Sequence, residues 1–341
     1  MISLSFITFL SIIYASCLLG TFCYKKFAIK YNIISNINYR TLHEEPTPRG
    51  GGLVFCFVFI LSIFFLYFQQ HISHDLMLVF GVGSGFAGLI GYIDDIVSIS
   101  PFKKLIFQSL LAFWILTIFR VDLVGYSSLL NSWQYFLVAS FLLVWLINAY
   151  NFIDGIDGMA ISAAILIIST LVLTIYIVDD SRNSIELMLI LLVLLASCIG
   201  FLFFNWPTAS IFMGDSGSIF LGYCFGALIV YSTINDKISF FTWLIVFGYY
   251  FSDTTITTLI RIIIVKKWYG THRSHAYQNL ARVLKNHSIV TNGVIIYHLL
   301  WLLPLAISSV LMPEFKFWAV LLAFLPSIIW AVKFGPLFSM D

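Results

Sequence analysis

The stretch Asn148-Ala-Tyr-Asn-Phe-Ile-Asp-Gly-Ile-Asp-Gly158 places two asparagines and two aspartates between strongly apolar runs at 133–147 and 159–178. Polar groups at the edge of a membrane-type segment are costly unless they serve a site. The four polar residues recur every three positions, and Gly155 and Gly158 favour a break in the helix. A plain Asp-Gly turn is the alternative. We interpret this stretch as one edge of a functional site between two helices.

The composition of the whole chain is typical of a membrane protein. Of its 341 residues, 60% are hydrophobic and only 10% are charged, whereas soluble domains have about 25% charged residues. The apolar segments are continuous and not alternating, which favours helices over a β-barrel. With a net charge of +2 and no basic run, we expect no nucleic-acid partner. We predict an all-α, polytopic protein with a single integral membrane domain over residues 1–341.

Apolar runs of sufficient length to cross a bilayer predict about eleven transmembrane helices, or ten if one of the weaker spans is not separate. The predicted limits are 2–24, 51–69, 76–97, 104–121, 133–149, 159–178, 185–204, 217–234, 239–264, 289–311 and 315–335. The fifth and eighth limits are the least defined, because polar motifs extend into the ends of those spans.

The distribution of basic residues predicts the orientation. Loops after odd-numbered spans contain 13 of the 18 lysines and arginines: Lys25, Lys26, Lys30, Arg40, Arg49, Lys103, Lys104, Arg261, Lys266, Lys267, Arg273, Arg282 and Lys285. Loops after even-numbered spans contain four: Arg120, Arg182, Lys237 and Lys316. The positive-inside rule therefore places the odd loops in the cytoplasm and the N-terminus outside. These five cytoplasmic loops also contain nearly all polar motifs, so we expect the active site there.

The first two cytoplasmic loops carry groups suited to phosphate chemistry. In the first, His43 and Arg49 are candidate phosphate contacts, and three consecutive glycines allow close approach of the backbone. In the second, Asp94 and Asp95 end a span, and adjacent carboxylates need a cation or a shared proton. Mg²⁺ suits such a site, because one or two carboxylates plus substrate phosphates hold it. A basic loop tip and a solvated helix end are the alternatives.

The fourth and fifth loops add a helix start and a cationic cluster. Asp215 precedes an apolar helix whose first backbone amides favour an anion, so Asp215 is a candidate ligand of a bridging metal. A plain N-cap aspartate is the alternative. In the fifth loop, His272, Arg273 and His275 form a compact group suited to binding a phosphate or a sugar.

These loops together favour a reaction at the membrane surface between a lipid and a soluble, anionic, Mg²⁺-binding substrate. A transporter is the rival class. Transporters place ionisable residues near the bilayer midplane, and here Asp253 is the one clear mid-span carboxylate. The presence of a single mid-span carboxylate weighs against transport but leaves Asp253 itself without an explanation.

The motifs resemble those of the polyprenyl-phosphate N-acetylhexosamine-1-phosphate transferases, or glycosyltransferase family 4. The resemblance extends from Arg40 to Gln278 and rests on four motifs in order: Pro-Thr-Pro-Arg-Gly-Gly (46–51), Asp-Asp (94–95), Asn-x-x-Asn-x-x-Asp-Gly-x-Asp-Gly (148–158) and Phe-Met-Gly-Asp-Ser-Gly-Ser (212–218). The superfamily includes the phospho-MurNAc-pentapeptide transferase of peptidoglycan synthesis and the GlcNAc enzyme that initiates O-antigen synthesis.

The resemblance implies roles for individual residues. Asp94 and Asp95 match the paired catalytic aspartates, and Asp215, with Asp154, matches the ligands of Mg²⁺, with Mn²⁺ as the alternative metal. Phe212 matches the aromatic that stacks on uracil. The full set of implied substrate-binding residues is His43, Arg49, Lys104, Asn148, Asn151, Asp157, Asn205, Phe212, His272, Arg273 and His275.

The resemblance also implies an activity and a location. A sugar-1-phosphate passes from a UDP-N-acetylhexosamine to undecaprenyl phosphate, UMP is released, and lipopolysaccharide, O-antigen or a related glycan is initiated at the bacterial inner membrane. The fifth loop reads His-Arg-Ser-His-Ala-Tyr-Gln (272–278) where other members have two or three adjacent histidines. It is similar to the branch that uses UDP-N-acetyl-6-deoxyhexosamines, so UDP-FucNAc, UDP-QuiNAc or UDP-GlcNAc is the expected donor. Pentapeptide transfer is the alternative, and a homodimer is compatible with the family.

Overall fold

A computed structural model describes residues 4–35, 46–121, 132–178, 184–264 and 274–338. Within these ranges the α-helices are α1 (Leu4–Lys30), α2 (Gly52–Phe68), α3 (His74–Met77), α4 (Ser84–Val97), α5 (Pro101–Ile118), α6 (Ser132–Ile153), α7 (Met159–Val178), α8 (Ile185–Asn205), α9 (Asp215–Ile234), α10 (Phe240–Ile264), α11 (Ala276–Leu284), α12 (His287–Tyr297), α13 (Leu303–Leu311) and α14 (Lys316–Phe334). Two short π-helical segments, Leu78–Gly83 and His298–Leu302, join α3 to α4 and α12 to α13.

The described residues confirm the prediction of an all-α, polytopic membrane protein. Among the described residues, nine helical segments are long and apolar enough to cross a bilayer, and each coincides with a predicted span. The two remaining predicted spans are also helical: α2 has 17 residues, and α10 contains the polar group Asp253. The exact number of crossings and the orientation remain predictions.

Several helix limits differ from the prediction, and polar contacts explain the differences. Helix α6 continues to Ile153, because Asn148 and Asn151 find hydrogen-bond partners on neighbouring helices and do not need solvent. Helix α9 begins at Asp215, two residues before the predicted start, because its first amides are capped by another helix. The segment between the ninth and tenth predicted spans, for which no helix was predicted, contains α11.

The only strands in the described ranges form a small antiparallel pair, β1 (Ile34–Ser35) with β2 (Thr47–Pro48). This pair leads directly into α2. The backbone of Phe212 continues the contact: its N–H donates to the Pro48 carbonyl at 2.8 Å, and its carbonyl accepts from the Gly51 N–H at 3.0 Å. The first and fourth of the loops that carry the polar motifs are therefore joined through their backbones.

Helix α9 lies at the centre of the bundle, packed against α2, α4, α5 and α6. Almost its whole first half is buried, whereas α1, α5 and α14 expose long apolar faces suited to lipid. Helix α4 packs closely on α9 at Gly91, where a Cβ would collide with the Asp215 carbonyl. This approach brings the end of α4 directly beside the start of α9.

Candidate active site

Three side chains from three helix ends converge on one point. The Lys104 ammonium, in the first turn of α5, forms an ion pair with Oδ2 of Asp94 at the end of α4. The same nitrogen donates to Oδ2 of Asp215, at the start of α9, over 2.9 Å. Oδ1 of Asp94 accepts from the backbone N–H of Ile99 at 2.5 Å. One cation therefore already bridges the two carboxylates that the motifs of the second and fourth loops supply.

Asp95 has a different environment from its neighbour Asp94. Its Oδ1 accepts from the backbone N–H of Asp215 at 3.0 Å, and its Oδ2 accepts from that of Ser216 at 3.1 Å. These are the first two amides of α9, whose own N-cap residue is a glycine and has no side chain. Asp95 therefore caps α9 from another helix. Its catalytic role stays a prediction, and its contacts favour positioning Asp215.

Gly214 is required by this arrangement. Its backbone has φ +75° and ψ 178°, a conformation that side-chain-bearing residues rarely adopt. A Cβ at this position would lie 2.5 Å from Oδ2 and 2.6 Å from Oδ1 of Asp95. The glycine therefore lets the carboxylate reach the start of α9.

The two asparagines of α6, Asn148 and Asn151, have different hydrogen-bond partners. Asn151 Nδ2 donates to Oδ1 of Asp215 at 3.1 Å and to the Ser218 hydroxyl at 2.8 Å, so it belongs to the site. Asn148 instead exchanges two hydrogen bonds with Gln108 of α5, at 2.7 and 3.2 Å. Substrate binding by Asn148 stays a prediction. Gln108 was not predicted as part of this region, although it lies one helical turn after Lys104 and therefore on the same side of α5.

Asp157 links three parts of the chain. Its Oδ2 accepts from the backbone N–H of Ala209 at 3.0 Å and lies 3.2 Å from Nδ1 of His287. Its backbone carbonyl accepts from the Thr291 hydroxyl at 2.9 Å. The contacts of Asp157 therefore join the Asp154–Gly158 loop to the fourth loop and to α12. His287 and Thr291, more than a hundred residues along the chain, carried no local sequence signal for this role.

Asp154 retains partial solvent access but lies in a strongly acidic environment. Burial is the main reason that its pKa is raised well above the ordinary value for aspartate. Repulsion from Asp215, Asp95 and Asp157 acts in the same direction, and a hydrogen bond from the Gly214 backbone opposes it. A cation near this group would favour its ionised form.

The raised pKa of Asp154 gives a testable dependence of stability on pH. A raised pKa in the folded state stabilises the protein below the ordinary pKa, and this contribution is lost as pH rises through the raised value. Asp154→Asn mimics the neutral form, so its metal-free midpoint of thermal unfolding should exceed that of the wild type at about pH 8. The difference should shrink towards about pH 5. A constant difference across this range contradicts the raised pKa.

Of the remaining predicted site residues, some are buried in the described structure and others lie outside it. Asn205 is buried and donates to the Ile211 carbonyl at 3.0 Å, which closes the fourth loop. Its Oδ1, like Nε of the Arg49 guanidinium, is a buried atom with no hydrogen-bond partner among the described residues. His275 is buried, with Nδ1 3.6 Å from Oδ1 of Asp253. His43, His272 and Arg273 lie outside the described residues.

The donor set is compatible with a hard divalent cation. Asp94 and Asp215 present carboxylate oxygens that already contact one cation, the Lys104 ammonium. In the part of the chain that the structure describes, no three His, Cys, Asp or Glu side chains form a metal-binding group. Two carboxylates are sufficient for Mg²⁺, whose other ligands are commonly water and substrate phosphate. The predicted pairing of Asp215 with Asp154 stays a prediction, since the observed pairing is with Asp94.

Comparisons with known proteins identify the family. Residues 77–233, which include Asp94, Lys104 and Asp215, match the glycosyl transferase family 4. The chain is 27% identical over 302 residues to the probable undecaprenyl-phosphate N-acetylglucosaminyl 1-phosphate transferase of Bacillus subtilis (strain 168), covering 86% of this chain and 81% of the relative.

Two phospho-N-acetylmuramoyl-pentapeptide-transferases are also similar. The protein of Kosmotoga olearia is 33% identical over 242 residues, which are 66% of this chain and 70% of the relative. The protein of Petrotoga mobilis is 34% identical over 215 residues, which are 57% of this chain and 63% of the relative. The chain is therefore a multi-pass membrane enzyme that belongs to glycosyl transferase family 4.

Proposed function

We propose that this enzyme transfers a sugar-1-phosphate from a UDP-N-acetylhexosamine to undecaprenyl phosphate at the cytoplasmic face of a bacterial inner membrane. The observation that carries the proposal is the convergence of Asp94, Lys104 and Asp215 at adjacent helix ends. A cation held between carboxylates, next to lipid-facing helices, suits a reaction of a lipid phosphate with a soluble diphosphate. The similarity to a probable undecaprenyl-phosphate transferase supports this acceptor.

In the proposed reaction, an oxygen of the lipid phosphate attacks the β-phosphorus of the donor. The bond from that phosphorus to the bridging oxygen breaks, and the electron pair leaves with UMP. A phosphate monoester has a second pKa near about 6, so the nucleophile is mostly dianionic at neutral pH and needs no strong base. Asp94 then orients the lipid phosphate and does not remove its proton. An aspartyl-phosphate intermediate is the alternative.

Asp94 and Asp215 would hold the cations that neutralise the negative charge of the substrates, and Lys104 is one such cation. Mg²⁺ held by the two aspartates would neutralise the diphosphate and the leaving UMP. Lys104 fills the cation position between these aspartates in the structure and, once released from them, is free to bind a phosphate oxygen. Asn151 keeps Asp215 oriented through its amide hydrogen bond.

The identity of the donor sugar is inferred from the fifth loop. The fifth loop departs from the adjacent histidines of other members, which favours a UDP-N-acetyl-6-deoxyhexosamine, with UDP-GlcNAc next. Transfer of phospho-MurNAc-pentapeptide is the second candidate, because relatives with that activity are 33% and 34% identical to this chain.

A panel assay tests the function. Purified enzyme with Mg²⁺ and undecaprenyl phosphate is given UDP-FucNAc, UDP-QuiNAc, UDP-GlcNAc and UDP-MurNAc-pentapeptide in separate reactions, and UMP and lipid product are measured. We expect UMP only with one donor class and only with the lipid present. UMP released without lipid phosphate supports the covalent intermediate instead. No UMP with any donor contradicts the proposal and favours a transporter.

Lys104→Ala should separate two proposed roles of the lysine, which are binding a phosphate oxygen and occupying the cation position between Asp94 and Asp215. Without the ammonium, Asp94 and Asp215 repel each other and attract a divalent cation more strongly. We expect kcat to fall about a hundredfold, while the rise in unfolding temperature on adding Mg²⁺ becomes larger than in the wild type. Lys103→Ala, at the exposed neighbouring position, is the matched control and should change neither. An unchanged Mg²⁺ response in Lys104→Ala contradicts the shared cation position.

A further inference from the structure

Asp253 makes an unusual set of contacts for a carboxyl group inside an apolar helix. The residue is 2% exposed, near the middle of α10. Its Oδ1 accepts from the backbone N–H of Ala276 at 2.9 Å and from the Thr257 hydroxyl at 3.2 Å. Its Oδ2 accepts from the backbone N–H of Tyr277 at 3.3 Å. Both carboxyl oxygens are therefore directed at the start of α11.

The arrangement repeats the one at Asp95. In each case two consecutive backbone amides at a helix start donate to one aspartate of a different helix. In each case the N-cap residue itself, Gly214 or His275, provides no side-chain cap. A carboxylate at a helix N-terminus also interacts favourably with the helix dipole. These contacts offset the cost of placing a carboxyl group in a membrane span.

The start of α11 packs on the loop that carries Asp154. The Tyr277 hydroxyl donates to the Phe152 carbonyl at 2.5 Å. Gly155 lies against the Gln278 amide and the Tyr277 hydroxyl so closely that a Cβ would collide with both. The His275 ring stacks on the Tyr277 ring, with centroids 5.9 Å apart, and lies tilted against the Phe152 ring at 5.6 Å. The position of α11 therefore determines what surrounds the Asp154–Gly158 loop.

We propose that Asp253 is a positioning residue that caps α11 and thereby holds His275, Tyr277 and Gln278 against the Asp154–Gly158 loop. The consequence for donor binding rests on the proposed function, whereas the cap itself does not. Asp253 touches no reacting atom in this scheme. It fixes the wall of the site that faces the donor, just as Asp95 fixes Asp215.

Hydrogen exchange measured by mass spectrometry tests the cap without any assay of activity. In Asp253→Ala, amides of residues 276–281 should exchange about five to ten times faster than in the wild type, because an N-cap is lost. Amides of 215–219 should be unchanged. Asp95→Ala should give the reverse pattern, with faster exchange in 215–219 and unchanged exchange in 276–281. Asp253→Asn, which keeps the shape and one acceptor oxygen, should give an intermediate effect and serves if the alanine variant does not fold. Unchanged exchange in 276–281, or equal acceleration in both segments, overturns the cap.

Steady-state kinetics then tests the effect on the donor. Asp253→Ala should raise the KM for the UDP-sugar about tenfold, with the KM for undecaprenyl phosphate changed less than about twofold, and Asp253→Asn should restore part of the difference. Thr257→Val removes only a hydroxyl donor to the same carboxyl and is the matched control. Equal changes in both KM values, or a fall in kcat alone, overturn donor positioning. If the wild type transfers no sugar-phosphate, the proposed function fails while the exchange experiment still decides the cap.

Discussion

Asp215→Ala is expected to abolish UMP release, with a loss of about a thousandfold or more in kcat/KM. Asp215 is the residue on which the site converges: Lys104 and Asn151 both bind its carboxylate, and Asp95 holds its backbone. Removing it leaves Lys104 with Asp94 alone and takes away one of the two carboxylates available to a divalent cation. The measurement is UMP formation under saturating donor and lipid phosphate.

Two controls define the result for Asp215. Asp215→Asn keeps the shape of the side chain but removes its charge, so it should lose nearly as much activity as the alanine variant. Glu314→Ala removes an exposed acidic residue between α13 and α14 and should retain wild-type activity. Retention of more than about a tenth of the activity in both Asp215 variants contradicts an electrostatic role. A lost rise in unfolding temperature on adding Mg²⁺ supports a metal-ligand role separately.

Gly214→Ala is expected to be the most damaging of the small substitutions. The backbone conformation at Gly214 is restricted to glycine, and the added methyl group would lie 2.5 Å from a carboxylate oxygen of Asp95. Either the cap on α9 opens or the loop moves, and both displace Asp215. We expect a loss of about 2–3 kcal/mol in the free energy of unfolding and about a hundredfold in kcat.

Gly293→Ala is the matched control for this strain. Gly293 lies within α12, and a Cβ there would meet nothing within 4 Å. The same chemical change should therefore stabilise the protein by about 0.5–1 kcal/mol, because a helical glycine is replaced by a better helix former. Activity should not change. Thermal unfolding and UMP assays of both variants make the comparison, and similar effects at the two positions contradict the argument from local geometry.

Much of the site was accessible from the sequence because its residues follow local rules. Asp94, Lys104 and Asp215 lie at the ends of predicted apolar spans. Because successive spans cross the membrane in opposite directions, these three ends are predicted to lie on the same side of it. The different contacts of Asp94 and Asp95 could not be predicted from the sequence, because two adjacent residues of one helix differ only in the direction in which their side chains point. Which of them reaches Lys104 and which reaches α9 depends on the close packing of α4 and α9 at Gly91.

Features that depend on contacts between distant segments of the chain could not be predicted from the sequence either. Helix α11 has nine residues and an apolar face on one side only, so a search for long apolar runs does not detect it. Asp253 has no explanation until α11 is placed beside it. The reciprocal amide pair of Asn148 and Gln108 likewise becomes visible only when α5 and α6 are adjacent.

The caps on α9 and α11 have a consequence for biosynthesis. The cap of α9 comes from a residue 120 positions earlier in the chain, and that of α11 from one 23 positions earlier. Each helix start therefore reaches its final geometry only after the emerging segment has docked on a helix that is already inserted. Activity should appear late in membrane insertion, once the segment after Ser274 has left the ribosome. A nascent chain stalled before that point is expected to be inserted in the bilayer but inactive.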